Sequence, residues 1–189
     1  EQGVRTPVSV VSNGLEQSVI DRIGAPAERR LAPGETLRLL WVGRLSPEKR
    51  PAVIAEAARS FGRDVSVDVY GDGLSRRSIE RMDTPVVLHG SVSQEEVLDA
   101  MRASHLLVSS SYDFDNQPMV MLEAAASGLP VLFCDPDLGE VLPPGGGFLT
   151  DTPDAAGITA LVARLQREPG AITAASAAMI RGRPRVAQR

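Results

Sequence analysis

The stretch "LRLLWVG" (37–43) constrains the fold more than any other part of the chain. An apolar run of this kind, followed directly by a polar, Gly-containing loop, specifies a strand covered on both faces. The signal recurs, and each time a helical pattern comes next. "PAVIAEAARSF" follows the first run, with Pro51 suited to the first turn of its helix. "VSVDVYG" then leads to "SRRSIERM", "PVVLHG" to "SQEEVLDAMRAS", and "HLLVSSS" to "PMVMLEAAASG", which stops at Gly128. "PVLFCD", "GGFLTD" and the helix "DAAGITALVARLQRE" complete the series, and "VSVV" (8–11) reads as a further strand ahead of it. Residues 22–36 read as a polar connector. Sequential β/α units with short connections predict an α/β fold, a doubly wound parallel sheet of Rossmann-like type with helices on both faces.

Size and composition agree with one such domain. The 189 residues suffice for a single good-sized core, here expected over 8–168 with tails at 1–7 and 181–189. Hydrophobic residues at 43% make a packed interior attainable, while aromatics at 4% disfavour an aromatic-lined single-strand binder. A net charge of −4 with pI about 5.3 argues against a nucleic-acid partner, which needs a basic face. Arg181, Arg183, Arg185 and Arg189 in "RGRPRVAQR" read first as a solvated, frayed tail and second as a contact for an anionic partner. Cys134 is the sole cysteine, so no internal disulfide forms, and it reads as a buried strand thiol. No apolar run approaches the roughly 18 residues of a membrane span. The opening "EQGVRTP" lacks a Met and reads as the middle of a longer protein.

In sheets of this kind ligands bind outside the carboxyl ends of the strands, so chemistry is sought in the strand-to-helix junctions. These read "GRLSPEKR", "YGDGLSRR", "HGSVSQ", "SSYDFDNQP" and "CDPDLGE". Gly43 permits a tight turn, after which Arg44 and Lys49 can clamp a diphosphate, the one as a fork and the other as a point charge. The alternative is a surface pair served by Ser46 or Glu48. "GDG" (71–73) is a turn and not a dinucleotide fingerprint, since G-x-G-x-x-G would need Gly where Arg76 stands; this disfavours a Rossmann dehydrogenase. His89 and Gly90 end another strand, and Gly90 either admits a flat ring or simply completes a terminus.

The stretch "SSYDFDNQPMVMLEAAASGLP" places acids and amides before an apolar helix and one acid, Glu123, inside it. Pro118 fits the first helical position, which puts Asn116 or Gln117 near the N-cap. The amides of Met119 and Val120 then face outward, as in anion-binding helix ends. Glu123, one turn on, can accept hydroxyls such as those of a ribose, and Asp115 projects above the helix end. Equally, Asp115 can be a cap and Glu123 a salt-bridged helix residue, with Arg44 as its candidate partner. "CDPDLGE" offers acids that read as caps and turns, and no metal cluster is expected.

With "GRLSPEK", "GDG", "V-x-L-H-G" and "D-x7-E…G-L-P" in this order, residues 8–168 resemble the carboxyl-terminal, donor-binding domain of GT-B retaining glycosyltransferases of family-4 type (glycosyl transferases group 1). The resemblance implies a hexosyltransferase-type enzyme that moves a sugar from a nucleoside-diphosphate sugar to a carbohydrate or lipid-linked acceptor, without metal or other cofactor. It implies that Arg44 and Lys49 hold the diphosphate and that Glu123 takes the ribose. Gly43, Gly71, His89 and Gly90 would lie along the nucleotide. Asp115 would contact the transferred sugar close to the reacting carbon, with Asn116, Gln117, Pro118, Met119 and Val120 around the sugar and distal phosphate. It also implies an absent amino-terminal acceptor domain, so that the isolated chain would turn over slowly or not at all. The expected location is the cytoplasm, the inner face of the membrane being a second station for the full protein. Two departures stand out: Asp replaces the usual first Glu, withdrawing the carboxylate by about 1.5 Å, and "NQP" replaces the usual "G-F-G". The first of these suggests an alternative, a nucleotide-binding or interaction module that has lost catalysis.

Overall fold

The computed structural model of the chain describes residues 14–115 and 117–187, with side chains described through Arg183. The strand expected over 8–11, Asn116, and the side chains of Arg185 and Arg189 lie outside the described residues. Six strands form one parallel sheet: β1 Leu37–Val42, β2 Val65–Tyr70, β3 Val87–Gly90, β4 Leu106–Ser109, β5 Val131–Phe133 and β6 Gly147–Leu149. Their order is β3-β2-β1-β4-β5-β6, the doubly wound Rossmann arrangement.

The apolar runs explain the layering. Along β1, Leu37, Leu39 and Trp41 point to one face and Leu40 and Val42 to the other, as the two-residue strand period requires. The first face packs on α2 (Pro51–Ala58), α3 (Arg76–Glu80) and α6 (Ala155–Arg167) through Ile54, Ile79 and Leu161. The second packs on α1 (Gln17–Ile23), α4 (Gln94–Ala103) and α5 (Met119–Ser127) through Val19, Leu98 and Met121. Leu107 in central β4 is fully buried, and its truncation to Ala is expected to cost about 2–5 kcal/mol. Helix α4 opens on a capping box, in which Ser93 and Glu96 satisfy each other's backbone N–H.

Four elements differ from the sequence expectation. Helix α1 occupies a segment whose end was expected to be connector, and it buries Val19 and Ile23 against α5. Helix α7 (Pro169–Ala187) carries the core past residue 168, burying Ile172, Ala175, Ser176 and Met179. The last turns are therefore helix rather than frayed tail, and Arg183 Nη2 donates to the Gly24 carbonyl at 2.6 Å. A 3-10 helix, Pro136–Val141, follows β5, capped by the Asp135 carboxylate accepting from Asp137 N. Pro118 is the N-cap of α5 and not its first helical residue: with ψ at 120° its backbone is still extended, so Met119 begins the helix. Among the described residues no helix is long and apolar enough to cross a membrane.

Candidate functional site

Strand order reverses between β1 and β4, and the loops after these two strands meet above the carboxyl edge of the sheet. Backbone bonds lace the strand ends together. Gly43 N donates to Tyr70 O at 3.0 Å, Gly71 N to Gly90 O at 2.7 Å, and Leu45 N to Asp72 O at 2.9 Å. Gly71 has φ +128°, and a Cβ there would lie 1.9 Å from the Gly43 carbonyl oxygen. Only glycine lets these two loops touch. Beside them opens a cleft of 320 Å³ whose lining includes Gly43, Arg44, Gly71, Tyr70, Ser91 and Val92.

Arg44 stands at this cleft with its side chain 70% exposed, 3.7 Å from Glu48, so its guanidinium is loosely held and open to an incoming anion. Lys49 is held otherwise. Its Nζ donates to Asp115 Oδ1 at 2.5 Å and Oδ2 at 2.6 Å, in an ion pair that is largely shielded from solvent. The sheet fixes where this pair forms. Trp41 Nε1 on β1 donates to Ser110 Oγ, and Ser110 Oγ donates to the Lys49 carbonyl, each at 2.9 Å. On the other side, Asp113 adopts φ 54° and donates its N–H to Asp135 Oδ2 at 2.7 Å, which tethers the loop carrying Asp115. The Asp135 carboxylate thus acts as cap and tether, and among the described residues no acid, His or Cys cluster has metal-binding geometry.

Helix α5 has no side-chain cap on its first turn, and Met119 is exposed at its start with Val120 half-buried beside it. One turn on, Glu123 accepts from Gln94 Nε2 at 3.0 Å, and Gln94 in turn accepts from Arg22 Nη2 at 2.7 Å. Burial pushes the Glu123 carboxyl above its ordinary value, with the Gln94 bond and the Arg22 charge pulling the other way. Its protein partner is Gln94 rather than Arg44.

His89 is held by two protein side chains. Its ring stacks on Tyr70 with centroids 4.1 Å apart and planes at 4°, and its Nε2 lies 2.6 Å from Asp68 Oδ1. Tyr70, not His89, is a lining residue of the cleft. Gly90 has φ +80°, and the Arg76 guanidinium would stand 3.2 Å from a Cβ there. Gly43, Arg44 and Gly71 therefore share the cleft, Lys49 and Asp115 pair across the loops after β1 and β4, and Glu123 sits on α4's first residue. Gln94, Ser110 and Tyr70 were not singled out from the sequence. The one signal they carried was position, each lying within a few residues of a strand's carboxyl end.

Comparison with known proteins agrees with this fold. The family described as "Glycosyl transferases group 1" matches residues 36–168, well over half of the chain. HepE of Anabaena, solved in complex with UDP, aligns at TM-score 0.70 and 19% identity over 96% of this chain and 53% of that one. The chain thus spans about half the length of HepE. The catalytic domain of the cholesterol-alpha-glucosyltransferase of Helicobacter pylori aligns at 0.68 and 16% identity, covering 79% of this chain and 98% of that one. The C-terminal domain of the group 1 glycosyl transferase LpcC of Francisella tularensis aligns at 0.68 and 17%, covering 89% and 95%. No curated relative matches the chain in sequence. The sheet is that of the carboxyl-terminal domain of GT-B glycosyltransferases, and the chain belongs to the glycosyl transferases group 1 family.

Proposed function

We propose that the chain is the donor-binding half of a retaining glycosyltransferase of family-4 type, which holds a nucleoside-diphosphate hexose while a partner domain presents the acceptor. The observation that carries this reading is the Lys49–Asp115 ion pair across the loops after β1 and β4, at the switch point, with Arg44 exposed on the β1 loop at the glycine-lined cleft. The UDP bound to HepE accords with it. In the reaction the bond between the sugar's anomeric carbon and the β-phosphate oxygen breaks and a bond to the acceptor oxygen forms on the same face. The acceptor proton passes to the leaving phosphate. Arg44, Lys49 and the first amides of α5 stabilise the charge growing on that phosphate, which lets the reaction run without a metal.

Lys49 and Asp115 form an ion pair at this site. Each residue neutralises the other until a diphosphate offers Lys49 a stronger anion and leaves Asp115 free for the sugar hydroxyls. The full protein works on a carbohydrate or lipid-linked acceptor in the cytoplasm or at the membrane's inner face. Titration calorimetry with UDP, GDP and ADP tests the reading: one of them releases heat in a saturable, one-site manner. A folded sample that gives no heat with any of the three contradicts it.

The same pair favours a second reading, a nucleotide-binding module without transfer activity, because both Asp115 oxygens are occupied by Lys49. Sugar transfer by the full protein decides between them. Undiminished transfer in Asp115→Ala removes Asp115 from the mechanism, and no transfer in the wild-type protein favours the module.

A further inference from the structure

We propose that Tyr70 is the ring against which the donor's nucleobase lies, and that His89 is a positioning residue that holds Tyr70 in place. The proposal rests on the donor reading above and specifies which side chains take the base.

The placement follows from the sheet. Tyr70 is the last residue of β2 and pairs with Val42 of β1. On its other side the register with β3 slips between Val69 and Tyr70, so that Tyr70 stands opposite Gly90 and His89 is the extra residue. Such a bulge re-aims a side chain at a sheet edge. Here it sets the imidazole parallel to the phenol ring, 4.1 Å away. Asp68, two residues before Tyr70 on the same strand face, fixes the imidazole through the 2.6 Å contact to Nε2. One ring face of His89 and one of its nitrogens are thus committed to the protein.

The cleft in front of Tyr70 has the chemistry of a base site. Val42, Tyr70 and Val97 supply an apolar surface, while Gly43 and Gly71 bring bare backbone up to it. Its 320 Å³ is at the small end of ligand pockets, which run from about 300 to 1,000 Å³, and suits the nucleoside part of a donor rather than the whole. Arg44 stands at the cleft, so a base seated on the tyrosine directs its phosphates toward the β1 loop. Stacking on an aromatic face is tolerant of base identity, because every base has a π-face.

The test is a double-mutant cycle read by calorimetry with whichever of UDP, GDP and ADP binds the wild-type chain most tightly. Tyr70→Leu keeps apolar volume and removes the ring; it weakens binding roughly ten-fold. His89→Ala weakens it by about three-fold, and His89→Phe, which restores a ring behind the tyrosine, recovers the loss. In the Tyr70→Leu background His89→Ala has no further effect, which a residue that merely stabilises the fold would not show. Far-UV circular dichroism checks folding. If Tyr70→Leu does not fold, nuclear Overhauser contacts between base protons and the Tyr70 ring of the wild-type chain replace the cycle. Wild-type affinity in Tyr70→Leu, an equal His89→Ala effect in both backgrounds, or no contact between base and Tyr70 overturns the assignment while the donor reading stands. Failure of the wild-type chain to bind any of the three overturns the donor reading, and this assignment with it.

Discussion

The two ends of the sheet carry similar side chains and use them in opposite ways. At the amino end, His105 Nδ1 accepts from Arg38 N at 3.0 Å, and the Arg38 guanidinium is divided between the Ala103 carbonyl and Glu35. Below it, buried Arg29 donates to the carbonyls of Ala27, Met101 and Ser127, closing the last turns of α4 and α5. Most of these partners are backbone groups, fixed as long as the fold is. At the carboxyl end Asp135 and Arg50 also hold backbone groups, but three candidate site residues face side chains instead: Arg44 a distant Glu48, Lys49 the Asp115 carboxylate, and Glu123 the Gln94 amide. A ligand can displace a side chain by turning a rotamer, whereas it can displace a backbone carbonyl only by unfolding a helix end. The amino end is therefore a staple, and the carboxyl end is the candidate site.

The sharpest way to break this comparison is at the amino end. Arg29→Ala strands the Met101 and Ser127 carbonyls and is expected to lower the unfolding free energy by about 3 kcal/mol, read from urea denaturation. Nucleotide affinity of the molecules that remain folded stays unchanged. At the carboxyl end Asp115→Asn gives the converse pattern. It releases Lys49, so nucleoside diphosphate binds about five-fold more tightly, while transfer by the full protein falls by roughly a hundred-fold. Tighter binding joined to lost turnover separates displacement of an internal ion pair from simple removal of a contact.

Glu123→Gln sharpens the contrast inside one residue. Nucleotide affinity is expected to fall about ten-fold, because the amide keeps one acceptor oxygen for the ribose and loses the other together with the negative charge. Stability moves the other way. Because burial raises the Glu123 carboxyl, the folded state holds its proton more readily than the unfolded state does. The group's contribution is complete below its ordinary value of 4.5 and is lost as pH rises past it. The Gln variant therefore melts higher than the wild type at neutral pH, and the gain disappears in acid. The smallest expected effect belongs to His105, which burial pushes below its ordinary value of 6.5, with Arg38 adding to the shift. Protonation then favours the unfolded chain. Stability present above 6.5 is lost as pH falls through it, and His105→Gln flattens that slope in denaturation curves recorded at stepped pH.

Part of this difference between the ends could be read from the residues alone. The strands were legible because their cores, such as Leu39–Trp41 and Leu106–Val108, are buried on both faces and so must be apolar throughout. The candidate site's residue types were readable because glycines, cations and acids gather at the strand-to-helix junctions, whereas the amino-end cluster of Arg29, Glu35, Arg38 and His105 was not, since residues 22–36, which carry Arg29 and Glu35, read only as a polar connector. Helix α7 was not: the core was expected to end at residue 168. Its buried stripe of Ile172, Ala175 and Met179 gains meaning only once α5 lies beneath it. Pairings across the chain were equally hidden. Lys49 and Asp115 are 66 residues apart, and their meeting depends on the Trp41–Ser110 link and on the left-handed turn at Asp113. The stacking of His89 on Tyr70 turns on a one-residue bulge that no hydrophobic pattern records.

The central claim, that a nucleoside diphosphate occupies the carboxyl edge at the β1/β4 switch, is tested most directly by amide chemical-shift mapping of the 20.1 kDa chain during titration with UDP, GDP or ADP. The account predicts shifts that saturate together at Gly43–Lys49, Gly71–Gly73, Gly90–Val92 and Met119–Glu123, with Glu35, Arg38 and His105 unmoved. Saturable shifts centred on the amino end, or none at the carboxyl edge with any of the three nucleotides, would contradict it.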